Sequence, residues 1–199
     1  GTYPYVTSSN TSSGQIFSGT GFGIKDNHNV LGITKAYTTR VGSGPFVTEL
    51  ENEIGDHFVK KGQEFGTVTK RKRRCGWFDT VLVGQSIAIN GITDVVLTKL
   101  DVLDELEEIQ VCVGYETKHK KYNYLPFDEN IQNILMPIYE TIPGWQESTF
   151  GLTSWDDLPK KAQSYINFLE SKIQKNISII STGPDRAHTI DRNNLLGNN

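Results

Sequence analysis

Cysteines, long apolar runs and metal-ligand spacings are scarce in this sequence, and each scarcity excludes a class of protein. Only two cysteines occur among 199 residues, Cys75 and Cys112, which suits a reducing cytoplasm better than a disulfide framework. No apolar run approaches the roughly 20 residues that a membrane-spanning helix needs. The four histidines and two cysteines show no metal-ligand spacing. We therefore expect a cytoplasmic protein with no membrane partner and no metal site in this chain.

Two kinds of functional motif are also absent from the sequence. The sequence has no GxxxxGK[ST] phosphate loop, and no Ser-His-Asp or Cys-His combination is evident. The composition is typical of a globular protein, with 36% hydrophobic and 22% charged residues. A net charge of −3 argues against a general nucleic-acid coat or a basic membrane-surface protein.

Short apolar strands alternate with helical patterns along the chain, which indicates the α/β class. The sequence predicts a strand or short helix over 30–41, a strand over 94–101 and a short buried strand over 176–181. Residues 108–115 alternate in polarity. Together with KKYNYLPF after them, they predict an antiparallel hairpin that turns at ETKHK.

Two helices have recognisable starts. Asp79 is a suitable N-cap for a helix over TVLVGQSIAI, residues 80–89. Asp157 as a cap and Pro159 in the first turn suit the start of a second helix. One apolar stripe runs along that second helix, formed by Ala162, Tyr165, Ile166, Leu169 and Ile173.

Other stretches predict irregular structure. Residues 1–23 are rich in Gly, Ser and Thr and are interpreted as loop. The acidic residues between 49 and 56 are interpreted as a solvated face, and 138–157 as a long connection. The last ten residues, 190–199, are interpreted as a fraying tail that follows a single domain over 1–189.

The stretch TKLD, residues 98–101, follows a predicted strand directly. Ligands of open α/β sheets bind at the carboxyl ends of strands. The spacing is similar to the Asn-Lys-x-Asp guanine reader of GTP-binding proteins, with Thr98 in place of Asn. The Asp101 carboxylate could accept both N1–H and the N2 amino group of guanine, a pair of donors that adenine lacks. A charged surface turn is the alternative.

A second polar turn, STGPDR at 181–186, also follows a predicted strand directly. A Ser-Thr-Gly turn can present backbone amides and carbonyls to a base or a phosphate. The alternative is a helix N-cap by Ser181 or Thr182, with Pro184 in the first turn.

Five consecutive cationic residues, Lys70 to Arg74, stand out in a chain of net negative charge. Such a run is compatible with a nuclear-localisation or nucleic-acid patch, a solvated face, or a small-anion site. The flanking Phe65-Gly66 and Cys75-Gly76-Trp77 indicate a folded loop, in which like charges repel one another unless anions neutralise them. Arginines bind carboxylates and phosphates bidentately, which favours the anion site.

In order along the chain, seven stretches together resemble the adenylosuccinate synthetase family: GTYPYVTSSNT, KAYTTRVGSGPFVTEL, EFGTVTKRKRRCGWFDTV, LTKLDVLD, YETIPGW, LPKKAQSYINFLE and ISIISTGPDR. The resemblance runs from residue 1 to about 186. It implies a GTP-dependent ligase of purine and AMP biosynthesis that joins inosine monophosphate (IMP) to L-aspartate, releasing GDP and phosphate. It also implies the C-terminal part of a P-loop-like, GTPase-type mixed sheet with flanking helices.

The resemblance assigns roles to residues of this chain. IMP contacts are implied for Thr7, Val41 and Arg71. Contacts to the aspartate substrate are implied for a loop made of Thr67, Val68, Thr69, Lys70, Arg71, Lys72 and Arg73. GTP contacts are implied for Arg73, Lys99, Leu100, Asp101, Ser181, Thr182, Gly183 and Pro184. The basic loop would then be a substrate lid that closes on anions.

Two departures from the family pattern concern the lid. A lysine, Lys70, stands where the family usually has glycine, so a residue that tolerates positive φ is lost. Lys72 stands where Pro or Arg is common.

The larger departure is what the matched stretches leave out. The family's phosphate loop, catalytic residues and magnesium ligands belong to its N-terminal half, so we expect a C-terminal half that is inactive alone. A Mg²⁺ cofactor and a homodimer are implied only for the full-length protein. The alternative function is a nucleic-acid-binding module that uses Lys70–Arg74.

Overall fold

The computed structural model of the chain describes residues 11–21, 29–66 and 70–197. The helices within these ranges are α1 (Gln15–Thr20), α2 (Glu53–Lys61), α3 (Thr80–Asn90), α4 (Glu129–Gln132) and α5 (Lys160–Ile173), with a 3-10 helix at Leu100–Leu103. The strands are β1 (Leu31–Lys35), β2 (Thr38–Arg40), β3 (Arg74–Gly76), β4 (Phe78–Asp79), β5 (Asp94–Thr98), β6 (Glu108–Glu116), β7 (Lys121–Tyr122), β8 (Met136–Pro143), β9 (Ile177–Ser181) and β10 (Thr189–Asp191). None of the described helices is long and apolar enough to cross a membrane.

The central sheet has the order β1-β5-β9-β10. Strands β1, β5 and β9 are parallel, and β10 runs antiparallel to β9. Strand β9 is buried along almost its whole length, as its apolar run predicts. The strand predicted over 94–101 ends at Thr98, because Lys99 turns into a left-handed conformation and a 3-10 helix follows.

The second sheet is built on β6, which pairs in parallel with β4 and antiparallel with β7 and β8. The predicted hairpin is confirmed, with Tyr115 opposite Tyr122, but β7 is only a short strand. The long partner of β6 is β8, so the interpretation of 138–157 as a connection was wrong over its first residues. Strand β8 contains Pro137 near its start and ends at Pro143. Because proline is uncommon within strands, these two residues hid the strand pattern in the sequence. The mixed α/β class is confirmed.

Helix α5 buries the predicted stripe, since Ala162, Tyr165, Ile166, Leu169 and Ile173 all lie in the core. The cap assignment was wrong. The helix begins at Lys160, and Pro159 occupies the N-cap position without a side-chain hydrogen bond. Asp79 does cap α3, because its carboxylate accepts from the backbone N–H groups of Val81 and Leu82.

Residues 30–41 do not form one element. Strands β1 and β2 belong to different sheets, and the buried Ala36 and Tyr37 separate them. Strand β2 pairs antiparallel with β3, so that Arg40 lies opposite Arg74. This register brings the end of β2 beside the end of the basic loop.

The expected solvated face is confirmed for Glu51, Glu53 and Asp56, which are exposed, and helix α2 begins within it. The Asn52 side chain caps α2 by accepting from Ile54 and Gly55. Glu49 is not simply solvated, since it is partly buried and paired with Arg74.

The expected tail begins inside a strand. Ile190 is buried and pairs with Ile180. The Asp191 carboxylate accepts hydrogen bonds from the backbone N–H groups of Asn193, Leu195 and Leu196.

Candidate functional site

Three parallel strands end at the same edge of the central sheet. Strand β1 ends at Lys35, β5 at Thr98 and β9 at Ser181. In open α/β sheets this carboxyl edge is where ligands bind. Both motifs selected from the sequence, TKLD and STGPDR, therefore begin at one edge.

A cavity of about 620 Å³ opens at this edge, between the segments that follow β5 and β9. We call it the edge cavity. Five of the residues selected from the sequence line it: Lys99, Asp101, Ser181, Gly183 and Pro184. The pairing of β5 with β9 brings these two distant motifs together. Cavities of this size are typical of small-molecule sites.

Three other residues selected for GTP do not line the edge cavity. Leu100 is fully buried in the core. Thr182 is also fully buried, and its hydroxyl donates to the Leu152 carbonyl at 2.8 Å. Arg73 lies in a separate cleft beside α2.

Lys99 is held in an unusual conformation at the cavity wall. Its φ is +59°, a left-handed value that non-glycine residues adopt rarely and at a cost. Its ammonium donates to the Gly62 carbonyl and lies 3.3 Å from Glu64 Oε1. The position of the charged group is therefore fixed from two sides.

Asp101 faces the cavity close to a second carboxylate. Burial raises the pKa of Asp101, and the charge of Asp104 raises it further. Asp104 accepts hydrogen bonds from Trp145 Nε1 at 2.8 Å and from the Thr149 hydroxyl at 2.7 Å. These bonds tie the 3-10 helix to the segment that ends in Phe150.

Phe150 is a cavity residue that sequence reasoning missed. Its ring lines the edge cavity and packs edge-on against His188, with ring centroids 5.1 Å apart. It remains 55% exposed, so an apolar face is available to a planar ligand. Its position depends on the Asp104 bonds, which no local sequence signal predicts.

Glu64 is the second residue that sequence reasoning missed. Its side chain is fully buried, yet it accepts from Lys35 Nζ at 2.8 Å, Tyr37 Oη at 2.5 Å and Arg73 Nη1 at 2.6 Å. Burial alone would raise the pKa of Glu64, but these hydrogen bonds lower it to about 2. We call Glu64, Lys35, Tyr37, Arg73 and Lys99 the Glu64 cluster.

The basic loop is folded back onto carboxylates of its own chain. Lys72 pairs with Asp56 at 2.6 Å, and Arg74 pairs with Glu49. Phe65 and Lys72 form an antiparallel bridge at the base of the loop. Lys70 has a φ of +53°, the conformation in which a glycine would be favoured.

Several residues selected from the sequence are not near the edge cavity or are not described. Thr7, Thr67, Val68 and Thr69 lie outside the described residues. Val41 follows β2 directly and is 63% exposed. Its neighbour Arg40 lies opposite Arg74 in the β2–β3 pairing.

Within the described ranges, no group of three or more His, Cys, Asp and Glu side chains could hold a metal ion. Both cysteines are free and buried. Burial raises the pKa of Cys75 to about 11, so its thiol is not activated.

A sequence profile of adenylosuccinate synthetase matches residues 1–190. The chain belongs to the adenylosuccinate synthetase family. The match includes both the edge cavity and the basic loop. It also confirms the resemblance found in the sequence.

Curated relatives carry the same name. An adenylosuccinate synthetase of Coxiella burnetii is 55% identical over 192 residues, which are 96% of this chain and 44% of the relative. One from Marinobacter nauticus is 54% identical over 197 residues, 99% of this chain and 46% of the relative. The chain thus spans about half the length of the relatives that it matches.

Solved structures agree with the fold. The structure of a fully ligated adenylosuccinate synthetase from Plasmodium falciparum superposes with a TM-score of 0.91 and 44% identity, covering 96% of this chain and 46% of that one. A succinoaminodeoxyadenylate synthetase of cyanophage S-2L has a TM-score of 0.57 at 18% identity, covering 99% of this chain and 44% of that one. The latter likeness concerns the fold alone.

Proposed function

We propose that this chain carries the guanine pocket and the aspartate-binding loop of a GTP-dependent ligase that joins IMP to L-aspartate, yielding adenylosuccinate, GDP and phosphate. One observation carries the proposal: Lys99, Asp101, Ser181, Gly183 and Pro184 line one cavity at the carboxyl edge of the sheet. Membership in the adenylosuccinate synthetase family supports it.

In the edge cavity, the Asp101 carboxylate would accept N1–H and the N2 amino group of guanine. Adenine would leave this partly buried carboxylate without partners, which is the physical basis of the discrimination. The Lys99 stem would lie along one face of the base. Ser181, Gly183 and Pro184 would complete the wall, whereas Leu100 and Thr182 would act by holding the backbone.

The basic loop would bind anions. Arg71 would contact the aspartate carboxylate and IMP, and Arg73 would also reach a GTP phosphate. The remaining loop residues would complete the aspartate site: Thr67, Val68, Thr69, Lys70 and Lys72. A dicarboxylate substrate would compete with Asp56 for Lys72, because that ion pair is exposed to solvent.

The remaining parts of the proposal concern IMP and the rest of the enzyme. Thr7 would contact the IMP phosphate and Val41 its ribose. We propose that the central sheet is the C-terminal part of a P-loop-like GTPase-type sheet. Magnesium and a homodimer are assigned to a longer protein. The roles proposed for the residues of this chain involve only the nucleotides and the aspartate.

The nucleic-acid alternative has less support. Three of the five cations, Lys72, Arg73 and Arg74, are paired with carboxylates of this chain. Binding of phosphates by all five would require breaking these pairs, including the one with the buried Glu64.

Calorimetry with the purified chain tests the guanine pocket. We expect GDP to bind and ADP not to bind. Asp101→Asn should weaken GDP binding by about 2 kcal/mol, or ~30-fold, because a charged bidentate acceptor is lost. Asp157→Asn, at an exposed position, is the matched control and should bind GDP normally. Equal affinity for GDP and ADP would refute the guanine pocket.

A second assay tests the expected inactivity. The purified chain, mixed with IMP, aspartate, GTP and Mg²⁺, should release no phosphate above background. Measurable turnover would refute the expected inactivity of this chain alone.

A further inference from the structure

The buried carboxylate of Glu64 connects two regions that the proposed function treats separately. One of its partners, Lys99, lines the edge cavity. Another, Arg73, belongs to the basic loop and lies in a different cleft. Glu64 contacts both side chains, at 3.3 Å and 2.6 Å respectively.

The two carboxylate oxygens divide these partners. Oε1 receives Tyr37 Oη and lies nearer Lys99, and Oε2 receives Arg73. Lys35 Nζ spans both oxygens, at 2.8 and 2.9 Å. Because each oxygen is occupied, rotation of the carboxylate toward one cation must weaken its contact with another.

The charges of the cluster are not balanced. Three cations, Lys35, Arg73 and Lys99, surround one fully buried carboxylate. Like charges gathered around one buried carboxylate repel one another more than they would in bulk water. Removing one cation therefore relieves the repulsion on the other two and strengthens their contacts with Glu64.

The backbone reinforces this connection. Arg73 N–H donates to the Glu64 carbonyl at 2.9 Å, and Lys99 donates to the carbonyl of Gly62. Both cations thus contact the same short segment, residues 62–64, as well as its side chain. A displacement of this segment would therefore move Lys99 in the edge cavity and Arg73 in the basic loop.

We infer that Glu64 is a positioning residue that couples the edge cavity to the basic loop, so that engagement of Lys99 by a ligand tightens the contact between Glu64 and Arg73. The identity of the ligands rests on the proposed function, whereas the coupling of Lys99 to Arg73 does not. By reciprocity, engagement of Arg73 by an anion changes the affinity of the edge cavity for its ligand.

The first experiment needs no ligand. The side-chain Nε–Hε resonance of Arg73 is followed by NMR in the full chain and in Lys99→Met, which keeps the apolar stem and removes the charge. In Lys99→Met we expect this resonance to shift and the picosecond-to-nanosecond motion of the Arg73 side chain to decrease, because its contact with Glu64 tightens. Lys172→Met, which removes a lysine on α5 that pairs with Glu140 on β8, should leave the resonance unchanged. If the Arg73 resonance has the same chemical shift in Lys99→Met as in the wild-type chain, the coupling is refuted.

The role of Glu64 itself is tested by repeating the comparison in Glu64→Gln. Lys99→Met should then no longer shift the Arg73 resonance. If Glu64→Gln does not fold, Glu64→Asp serves, because it keeps the charge and shortens its reach. There the shift should fall to less than half. A shift of undiminished size in either background would assign the coupling to another residue.

The ligand experiment separates this inference from the proposed function. GDP added to the wild-type chain should shift the Arg73 resonance, and ADP should not. In a foldable Glu64 variant, the GDP dissociation constant should rise about tenfold, and the Arg73 response should disappear. Failure of GDP to bind would refute the guanine pocket while the ligand-free result still decides the coupling. GDP binding without an Arg73 response would overturn the coupling alone.

Discussion

Glu64 is a fully buried carboxylate, and hydrogen bonds from Lys35, Tyr37 and Arg73 keep it ionised. Its pKa is lowered from 4.5 to about 2, although burial alone would raise it. A carboxylate with a depressed folded-state pKa stabilises the fold above its unfolded-state pKa. That contribution is lost as the pH falls from 4.5 toward 2.

Glu64→Gln should therefore lower the free energy of unfolding by about 3 kcal/mol at pH 7, because three cations lose their buried counter-ion. The difference between variant and wild type should shrink as the pH falls below about 4.5. Urea unfolding at several pH values measures it. Glu105→Gln, which removes an exposed partner of Lys61, should change little. A difference independent of pH would mean that Glu64 acts through packing alone.

Lys70 adopts a left-handed backbone conformation, with φ of +53°. Lys70→Gly should raise the free energy of unfolding by up to about 1 kcal/mol, since glycine adopts this conformation without strain. Lys118→Gly, in the β6–β7 turn where φ is not positive, should lower it slightly. Thermal unfolding of both variants makes the comparison. Destabilisation by Lys70→Gly would indicate that the lysine side chain holds the loop.

At the scale of elements, helix α3 begins at a cap that also serves the second sheet. The Asp79 carboxylate accepts from two backbone N–H groups of α3 and from Tyr115 Oη at 2.6 Å. Strand β4, which ends at Asp79, pairs with β6, the strand that carries Tyr115. One side chain thus joins α3 to that sheet.

Asp79→Ala should cost about 3 kcal/mol of unfolding free energy, because the cap is lost and the Tyr115 hydroxyl is left buried without its acceptor. Asp128→Ala, which removes the exposed cap of α4, should cost less than about 1 kcal/mol. Chemical denaturation measures both. Similar costs for the two variants would show that the bond to Tyr115 contributes nothing.

Elements whose signals are local were predictable from the sequence, and those that depend on distant partners were not. The stripe of α5 and the Asp79 cap are set by neighbours within a few residues. Strand β8 was missed because its pairing with β6 decides its conformation. The polar residues of α2 hid a helix that packs through few apolar positions, mainly Phe58 and Val59.

The same distinction applies to the candidate site. Lys99, Asp101 and Ser181 could be selected because each stands where an apolar strand ends. Glu64 and Phe150 could not, because each reaches the cluster or the cavity through tertiary contacts. The buried position of Thr182 could not be predicted either, since tertiary hydrogen bonds to the carbonyls of Leu152 and His188 fix it.

At the scale of the whole molecule, apolar side chains are exposed around strand β1. Ile33 is 75% exposed and Leu31 is 39% exposed, both on β1. Strand β1 also stands at the end of its sheet, and within the described residues no strand pairs with its outer side. Exposed apolar strand edges favour association with other chains.

The purified chain should therefore self-associate as its concentration rises, and Ile33→Lys should reduce this without lowering the free energy of unfolding. Analytical ultracentrifugation measures the association. Phe127→Lys, at an even more exposed phenylalanine away from β1, is the matched control and should leave it unchanged. Equal reduction by both variants would point to general charge repulsion instead of the β1 edge.

The order of the central sheet also determines when the edge cavity can exist. Strand β5 pairs with β1, far before it in the chain, and with β9, far after it. Such non-local pairing slows folding. During synthesis on the ribosome, Lys99 and Asp101 emerge long before Ser181. The edge cavity therefore cannot form until β9 has been synthesised and has paired with β5. Meanwhile one side of β5 is unpaired, and a chaperone that shields it would protect the nascent chain from misassembly.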